Sequence, residues 1–134
     1  MAMEIVVRHA GGKKVDAQVE GFRIATDQSR DSGGEGSAPE PFVYFLSSIA
    51  TCAGIYVVGF CEARDIPTDG IRVVQDHTFD QKTGKLVAVD LRIEVPPEFP
   101  EKYHKALARV ANLCSVKKTI LDPPEMSIQT VVSG

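Results

Sequence analysis

Hydrophobic and polar side chains alternate along the N-terminal third of the chain, which is the pattern of β-strands with one buried face. Three short segments place apolar side chains at every second position, and glycines separate the segments. The alternating positions are Met3, Ile5 and Val7, then Val15, Ala17 and Val19, and then Phe22, Ile24 and Thr26. The alternation predicts three strands joined by turns, the first of them at Gly11-Gly12.

A polar, glycine-rich loop over residues 27–38 leads to an uncharged segment over residues 42–61. Its twenty residues have the nominal length of a membrane span. Serines and glycines dilute its apolarity, however, and Lys and Arg occur on both sides, so no positive-inside bias orients it. We therefore predict no membrane span, but a helix that begins at Pro41, is buried nearly all round and ends before Pro67.

A helix that is apolar on every face must be shielded from water on every face by other parts of the protein. A chain of this size has too little surface to supply that cover alone. The amphipathic strands can cover one side as a sheet, which leaves the other side for a second subunit. The pattern therefore predicts a homodimer with the 42–61 helix at its interface.

The second half of the chain begins with a predicted hairpin. Apolar residues alternate from Val87 to Val95, after a strand at about 71–79 and a loop over residues 80–84. A second helix is predicted from Pro100, with an apolar stripe formed by Tyr103, Leu107, Val110 and Cys114.

Alternation returns after Pro123-Pro124, where Met126, Ile128 and Thr130 predict a last strand. The predicted order is three strands, a long helix, two strands, a helical segment and a strand. This order places the chain in the α+β class.

Length and composition fit one soluble globular domain over residues 1–134, since 43% of the residues are apolar and 25% are charged. The net charge of −3 comes without a basic stripe, so no nucleic-acid partner is expected. No charged-then-apolar leader opens the chain, and three cysteines without close spacing fit a reducing compartment. These features predict a cytoplasmic protein.

The three cysteines differ in their surroundings. Cys52 and Cys61 stand nine residues apart on the predicted helix. They therefore lie on opposite faces and roughly 13.5 Å apart along the axis, too far for a disulfide. Cys61 is interpreted as a small buried hydrophobic residue. Cys114 precedes Lys117 and Lys118 by about one helical turn, so these lysines either favour its thiolate or form a solvated face while Cys114 packs inward.

No sequence pattern indicates a metal ion or an organic cofactor, and we expect neither. His9, His77 and His104 are scattered, and the chain has no CxxC or HxxxH pair. No serine stands in a nucleophile-elbow pattern, and no glycine-rich phosphate loop follows a strand.

Two segments resemble the signatures of the OsmC/Ohr family. In the first, GGEGSAPEPFVYFLSSIATCAGIYVVGFCEARDIPTDGIRV, a glycine-rich loop and a proline open a buried helix that bears a cysteine. The second, VANLCSVKKTI, is similar to the family's second cysteine box, in which Ser or Pro and then Val follow the cysteine. The resemblance covers nearly the whole chain.

The resemblance implies an OsmC-like fold, with antiparallel sheets around a long buried central helix, in an intertwined homodimer. It also implies a cysteine-based peroxidase that reduces organic hydroperoxides in oxidative-stress defence. Cys52 matches the cysteine that attacks the peroxide, and Cys114 matches the resolving one. A thiolate that attacks an O–O bond becomes a sulfenic acid, which condenses with a second thiol to a disulfide. The implied reductant is a small dithiol, such as a lipoyl group, or a thioredoxin-like protein.

Two positions depart from the family pattern. The family carries a glutamate just after the proline that opens the helix, whereas here Phe42 follows Pro41, and the nearest carboxylate, Glu40, precedes it. The family also has an arginine near the first hairpin, where this chain has lysines that lack the planar guanidinium fork. The residue that activates the attacking thiol is therefore left open. The candidates are Lys13, Lys14, Lys117 and Lys118.

Other functions fit some of the same features. A non-catalytic OsmC-like module would bind an apolar acyl ligand in the cleft, or would act as a thiol redox sensor. A hot-dog-type thioesterase also wraps a sheet around a long helix, but it needs a catalytic acid on that helix, and residues 42–61 contain none.

Overall fold

The computed structural model of the chain describes residues 3–133 and has a mixed α+β architecture, as the sequence predicted. Five strands and three α-helices occur in this part of the chain, together with 3-10 turns at Arg30–Ser32 and Glu101–Tyr103. The strands are β1 Val6–His9, β2 Val15–Val19, β3 Phe22–Thr26, β4 Arg72–Phe79 and β5 Leu86–Glu94. The helices are α1 Pro41–Glu62, α2 His104–Ala111 and α3 Ser115–Leu121.

The chain divides into two compact units, Met1–Ser47 and Ser48–Gly134. The first unit contains an antiparallel sheet in the order β1-β2-β3, with Val7 opposite Ala17 and Ala17 opposite Ile24. The three strands predicted from the alternation are thus confirmed, although β1 begins at Val6 rather than at Met3.

A buried carboxylate organises the glycine-rich loop that follows β3. The side chain of Asp27 is fully buried and accepts hydrogen bonds from the backbone N–H groups of Gln28 at 2.7 Å, Ser37 at 3.0 Å and Glu35 at 3.3 Å. The hydroxyl of Ser37 donates a fourth bond at 2.6 Å. These bonds, led by those from Ser37, lower the pKa of Asp27 to about 2. The ionised side chain of Asp27 therefore binds three backbone N–H groups of this loop.

The second unit contains the antiparallel β4–β5 hairpin and the main apolar core. Val73 lies opposite Ile93 in the hairpin, and the Asp80 carboxylate accepts N–H bonds from Lys82 and Thr83 in the connecting loop. This hairpin confirms the predicted strand–loop–strand order. The fully packed core residues are Val57, Phe60, Cys61, Phe99 and Leu107.

Helix α1 begins at Pro41, as predicted, and buries one face within the chain. Its buried residues recur at helical spacing and are Ile49, Ala53, Val57, Phe60 and Cys61. Other apolar residues of α1 are exposed, among them Phe42 and Ile55, the latter to 64%. The prediction that a second subunit covers this remaining surface stays a prediction.

The length and mean hydropathy of α1, 1.7 in its most apolar window, would also suffice for a membrane span. Core helices of soluble proteins share these properties, and α1 supplies three of the five packed core residues of the second unit.

The second helix departs from its prediction. One continuous helix through Cys114 was expected, but α2 ends at Ala111 and α3 begins at Ser115. Cys114 takes an extended backbone conformation and caps α3, because its sulfur accepts the N–H of Lys117 at 3.3 Å. The apolar stripe is correct as a burial pattern, since Leu107 and Cys114 are both buried, yet it does not lie on one helix.

The predicted last strand is wrong. Residues 123–133 have no regular secondary structure, and Met126 and Ile128 are almost fully exposed. A strand needs a neighbouring strand for its backbone hydrogen bonds, and alternation of side chains does not by itself supply one.

Candidate functional site

The site is built from the middle of α1 and the start of α3, where Cys52 and Cys114 meet. Cys52 is partly exposed, Cys114 is 2% exposed, and both thiols are free. The Cys114 side chain lies near enough to the Cys52 thiol to help lower its pKa. The two cysteines singled out in the sequence therefore lie side by side in the second unit.

Hydrogen bonds from α3 lower the pKa of the Cys52 thiol. The largest contribution comes from the backbone N–H of Val116, and burial opposes it. The Cys114 side chain and both the hydroxyl and the N–H of Ser115 lower this pKa further. Donors that point at a sulfur favour its charged form, so these hydrogen bonds favour the thiolate of Cys52.

Sequence reasoning missed Ser115 and Val116 as parts of the site. The Ser115 Oγ lies 3.7 Å from the Cys52 Sγ. Both residues directly follow Cys114 in the second cysteine box, which is the signal that could have identified them.

Cys114 packs inward while Lys117 and Lys118 are exposed, which agrees with the second of the two sequence interpretations. Lys117 uses its backbone N–H to bond the Cys114 sulfur, while its ammonium group bonds the side-chain oxygen of Asn112. The contribution of Lys117 to this sulfur is thus a backbone hydrogen bond, and its charge is directed to the end of α2.

Two further candidates from the sequence, Glu40 and Lys14, lie in the first unit and have partners there. The Glu40 carboxylate accepts the N–H of Ser29 at 3.1 Å. The Lys14 ammonium pairs with Glu35 at 2.5 Å, and this bond raises the pKa of Lys14. Both side chains take part in ordering the glycine-rich loop.

Cys61 does not join the pair. Its side chain is fully buried in the core beside Phe60, and burial raises the pKa of its thiol. This placement agrees with its interpretation as a small buried hydrophobic residue.

A cavity of about 620 Å³ lies in the second unit, and Cys114 forms part of its wall. Its lining combines aliphatic side chains from α1, β4, β5 and the helices that follow with a few polar groups. The aliphatic lining residues within three positions of Cys52 are Ile49 and Ala53, and the polar groups include His104, Asn112 and Lys117. Such a cavity can hold an apolar group next to the Cys114 sulfur.

Among residues 3–133, no group of three or more His, Cys, Asp or Glu side chains is arranged to hold a metal ion. The chemistry that this arrangement can perform is that of paired thiols.

The fold is similar to that of known proteins of one family. The model of the family described as OsmC-like protein matches residues 34–129. A structure from Psychrobacter arcticus 273-4, provisionally named an osmotic stress induced and detoxification response protein, superposes with a TM-score of 0.72 at 21% identity, covering 86% of this chain and 85% of that chain. An OsmC-like protein from Mycoplasma pneumoniae gives 0.70 at 16% identity, covering 92% and 89%.

A third similar structure is an organic hydroperoxide resistance protein OsmC from Legionella pneumophila, with a TM-score of 0.60 at 19% identity over 87% of this chain and 88% of that chain. No curated protein sequence matches the chain. Since the family model covers most of the sequence and these structures share its fold, the chain belongs to the OsmC-like protein family.

Proposed function

We propose that this protein is a cysteine-based peroxidase that reduces organic hydroperoxides, with Cys52 as the attacking residue and Cys114 as the resolving residue. The observation that carries the proposal is the proximity of the two cysteines: the Cys114 side chain helps to lower the pKa of Cys52, and Ser115, which follows Cys114, lies 3.7 Å from the Cys52 sulfur. Two neighbouring thiols, one of them with a lowered pKa, are the arrangement that a two-cysteine peroxidase requires.

The reaction proceeds in two steps within the protein. The Cys52 thiolate attacks the terminal oxygen of the hydroperoxide, the O–O bond breaks, and the alkoxide leaves and takes up a proton to become an alcohol. Cys52 is now a sulfenic acid. The Cys114 sulfur then attacks the Cys52 sulfur, a disulfide forms, and water leaves.

Apolar surroundings favour organic hydroperoxides over hydrogen peroxide. The cavity beside Cys114 has room for an alkyl or aryl group, whose transfer from water stabilises the complex by about 25 cal/mol per Å² of buried apolar area. The structural neighbours from Legionella pneumophila and from Elizabethkingia anophelis, the latter with a TM-score of 0.61 at 14% identity over 89% of this chain and 87% of that chain, are named organic hydroperoxide resistance proteins.

A dithiol completes the cycle by reducing the disulfide, and the proposed reductant is a lipoyl group or a thioredoxin-like protein. Cys52 is the more exposed of the two sulfurs, which supports attack of the reductant there. A reducing cytoplasm, with no membrane or nucleic-acid partner, is the proposed setting.

We also propose that the protein works as a homodimer. The exposed apolar residues of α1, such as Ile55, and those of the C-terminal segment, such as Ile128 and Val132, form apolar surface that a second copy would cover. In the single chain these side chains are exposed to water.

Consumption of cumene hydroperoxide in the presence of a dithiol tests the peroxidase function. Wild type should turn over, Cys52→Ser should lose the reaction, and Cys114→Ser should react about once and then stop for lack of a resolving thiol. Cys61→Ala is the matched control, because this cysteine lies in the core away from the pair, and it should keep the wild-type rate per folded molecule. Equal turnover by Cys52→Ser and wild type would contradict the proposal.

The second candidate is a module that binds an apolar ligand, and the cavity of about 620 Å³ favours it. Binding of a fluorescent acyl probe without any consumption of hydroperoxide would support this alternative. Probe binding together with turnover would instead identify the cavity as the substrate pocket of the peroxidase.

A further inference from the structure

We infer that Ser115 activates Cys52 in this chain by donating a hydrogen bond from its hydroxyl to the Cys52 sulfur. The inference rests on the proposed function, because it names a side chain that prepares the attacking thiol together with the backbone N–H of Val116. The inferred activating group is a neutral side chain in the second cysteine box, whereas the family pattern has a glutamate and an arginine.

The geometry brings the hydroxyl to the sulfur. The distance between Ser115 Oγ and Cys52 Sγ is 3.7 Å, as expected for a hydrogen bond to the large sulfur atom. Ser115 follows Cys114, whose extended backbone turns the chain into α3 and whose side chain also lies near Cys52. One turn of chain therefore presents both the resolving thiol and the hydroxyl to the attacking thiol.

Three of the charged side chains considered as activators of Cys52 have other partners in this chain. Glu40 binds the N–H of Ser29, Lys14 pairs with Glu35, and the Lys117 ammonium is bonded to Asn112. A hydroxyl that donates to a thiolate stabilises the charged form without any charge of its own.

The identity of the residue matters because the family's second box carries either Ser or Pro after its cysteine. Proline has no N–H and no hydroxyl, so it can donate nothing to Cys52. Ser115 is the first residue of α3, a position at which helices tolerate proline. Replacement by proline therefore removes both donors while the helix is kept.

The experiment measures the rate of Cys52 alkylation by iodoacetamide across a pH series, with the labelled cysteine identified by peptide mass spectrometry. Ser115→Ala should slow alkylation roughly tenfold at neutral pH and move the profile to higher pH, since a hydrogen bond to a charged group is lost. Ser115→Thr keeps a hydroxyl and should restore the wild-type profile. Ser115→Pro should shift the profile further than Ser115→Ala.

Thr119→Ala is the matched control. Its hydroxyl also lies on α3, but it bonds the Ser115 carbonyl at 2.8 Å and not the thiol, so the alkylation profile should stay that of wild type. If Ser115→Ala does not fold, the near-isosteric pair Ser115→Thr and Ser115→Val supplies the same comparison.

Coincident profiles for wild type and Ser115→Ala, or equal shifts for Ser115→Ala and Ser115→Thr, would overturn the inference. The assay contains no peroxide, so it separates the two proposals. A shifted profile in a protein that consumes no hydroperoxide would refute the peroxidase function and retain the role of Ser115. Turnover of hydroperoxide with an unshifted alkylation profile would support the peroxidase function and refute the role of Ser115.

Discussion

The sulfur of Cys114 accepts the backbone N–H of Lys117 at 3.3 Å, and the same side chain helps to lower the pKa of the neighbouring Cys52 thiol. One atom thus caps α3 and also takes part in the thiol pair. A disulfide to Cys52 would use the same sulfur that caps α3, so we expect the redox state of the site to affect the stability of this helix.

Removal of the cap should destabilise the protein. Cys114→Ala should lower the free energy of unfolding by about 1 kcal/mol for the lost cap, with a further loss for the buried sulfur. Cys114→Ser keeps a capping oxygen and should lose less. Urea titration measures the free energy of unfolding of both variants. Hydrogen exchange at the Lys117 amide should be faster in Cys114→Ala than in Cys114→Ser. Equal exchange rates in the two variants would contradict a capping role for Cys114.

The thiol pair should react as a unit. One equivalent of an organic hydroperoxide should remove two free thiols and leave Cys61 to be alkylated after denaturation, because Cys61 is fully buried away from the pair. Peptide mapping should find a single Cys52–Cys114 crosslink.

The single-cysteine variants assign the roles within that pair. In Cys114→Ser, dimedone should trap a sulfenic acid at Cys52, since no second thiol is there to resolve it. Rapid oxidation of Cys114 in Cys52→Ser would reverse the assigned roles.

Acid should weaken the glycine-rich loop through Asp27. The pKa of this carboxyl is about 2 in the folded chain, below its ordinary value of 3.8. Its stabilising contribution is therefore complete above about pH 4 and is lost as the pH falls toward 2. Asp27→Asn should be less stable than wild type at neutral pH, and the difference should shrink as the pH falls through this window.

Unfolding midpoints in urea, measured from neutral pH down to about pH 2, test this expectation. Asp31→Asn is the control in the same loop, since Asp31 is exposed. A constant stability difference between wild type and Asp27→Asn across the window would show that ionisation of Asp27 does not hold the loop.

The proposed homodimer makes a prediction about mass. Sedimentation at micromolar protein should find a species of two 14.5 kDa chains, and a stable folded single chain would contradict it. Ile55→Asp should prevent soluble dimer formation, because burial of an unpaired charge costs several kcal/mol. A charge introduced in the exposed hairpin loop by Gln81→Asp should leave the mass unchanged.

The sequence predicted the elements whose signals are local. Alternation from Val15 to Val19 and from Val87 to Val95 has the period of a strand, and β2 and β5 lie there. Proline at the first helical position marked the start of α1 at Pro41. The same alternation predicted a strand wrongly at residues 126–130. A strand forms only where the edge of another strand is available for pairing, and the local sequence does not show whether such an edge lies nearby.

The cysteine motifs, with their spacing, were enough to identify the family, since both are read directly from the chain. The groups that surround the two thiols, in contrast, depend on how the chain folds in three dimensions. Ser115 and Val116 reach Cys52 because the chain breaks its helix at Asn112 and restarts at Ser115, and that break depends on the Cys114 cap and on packing. Burial of Asp27 and proximity of Cys52 to Cys114 are likewise properties of groups distant in sequence, and side-chain periodicity carries no information about them.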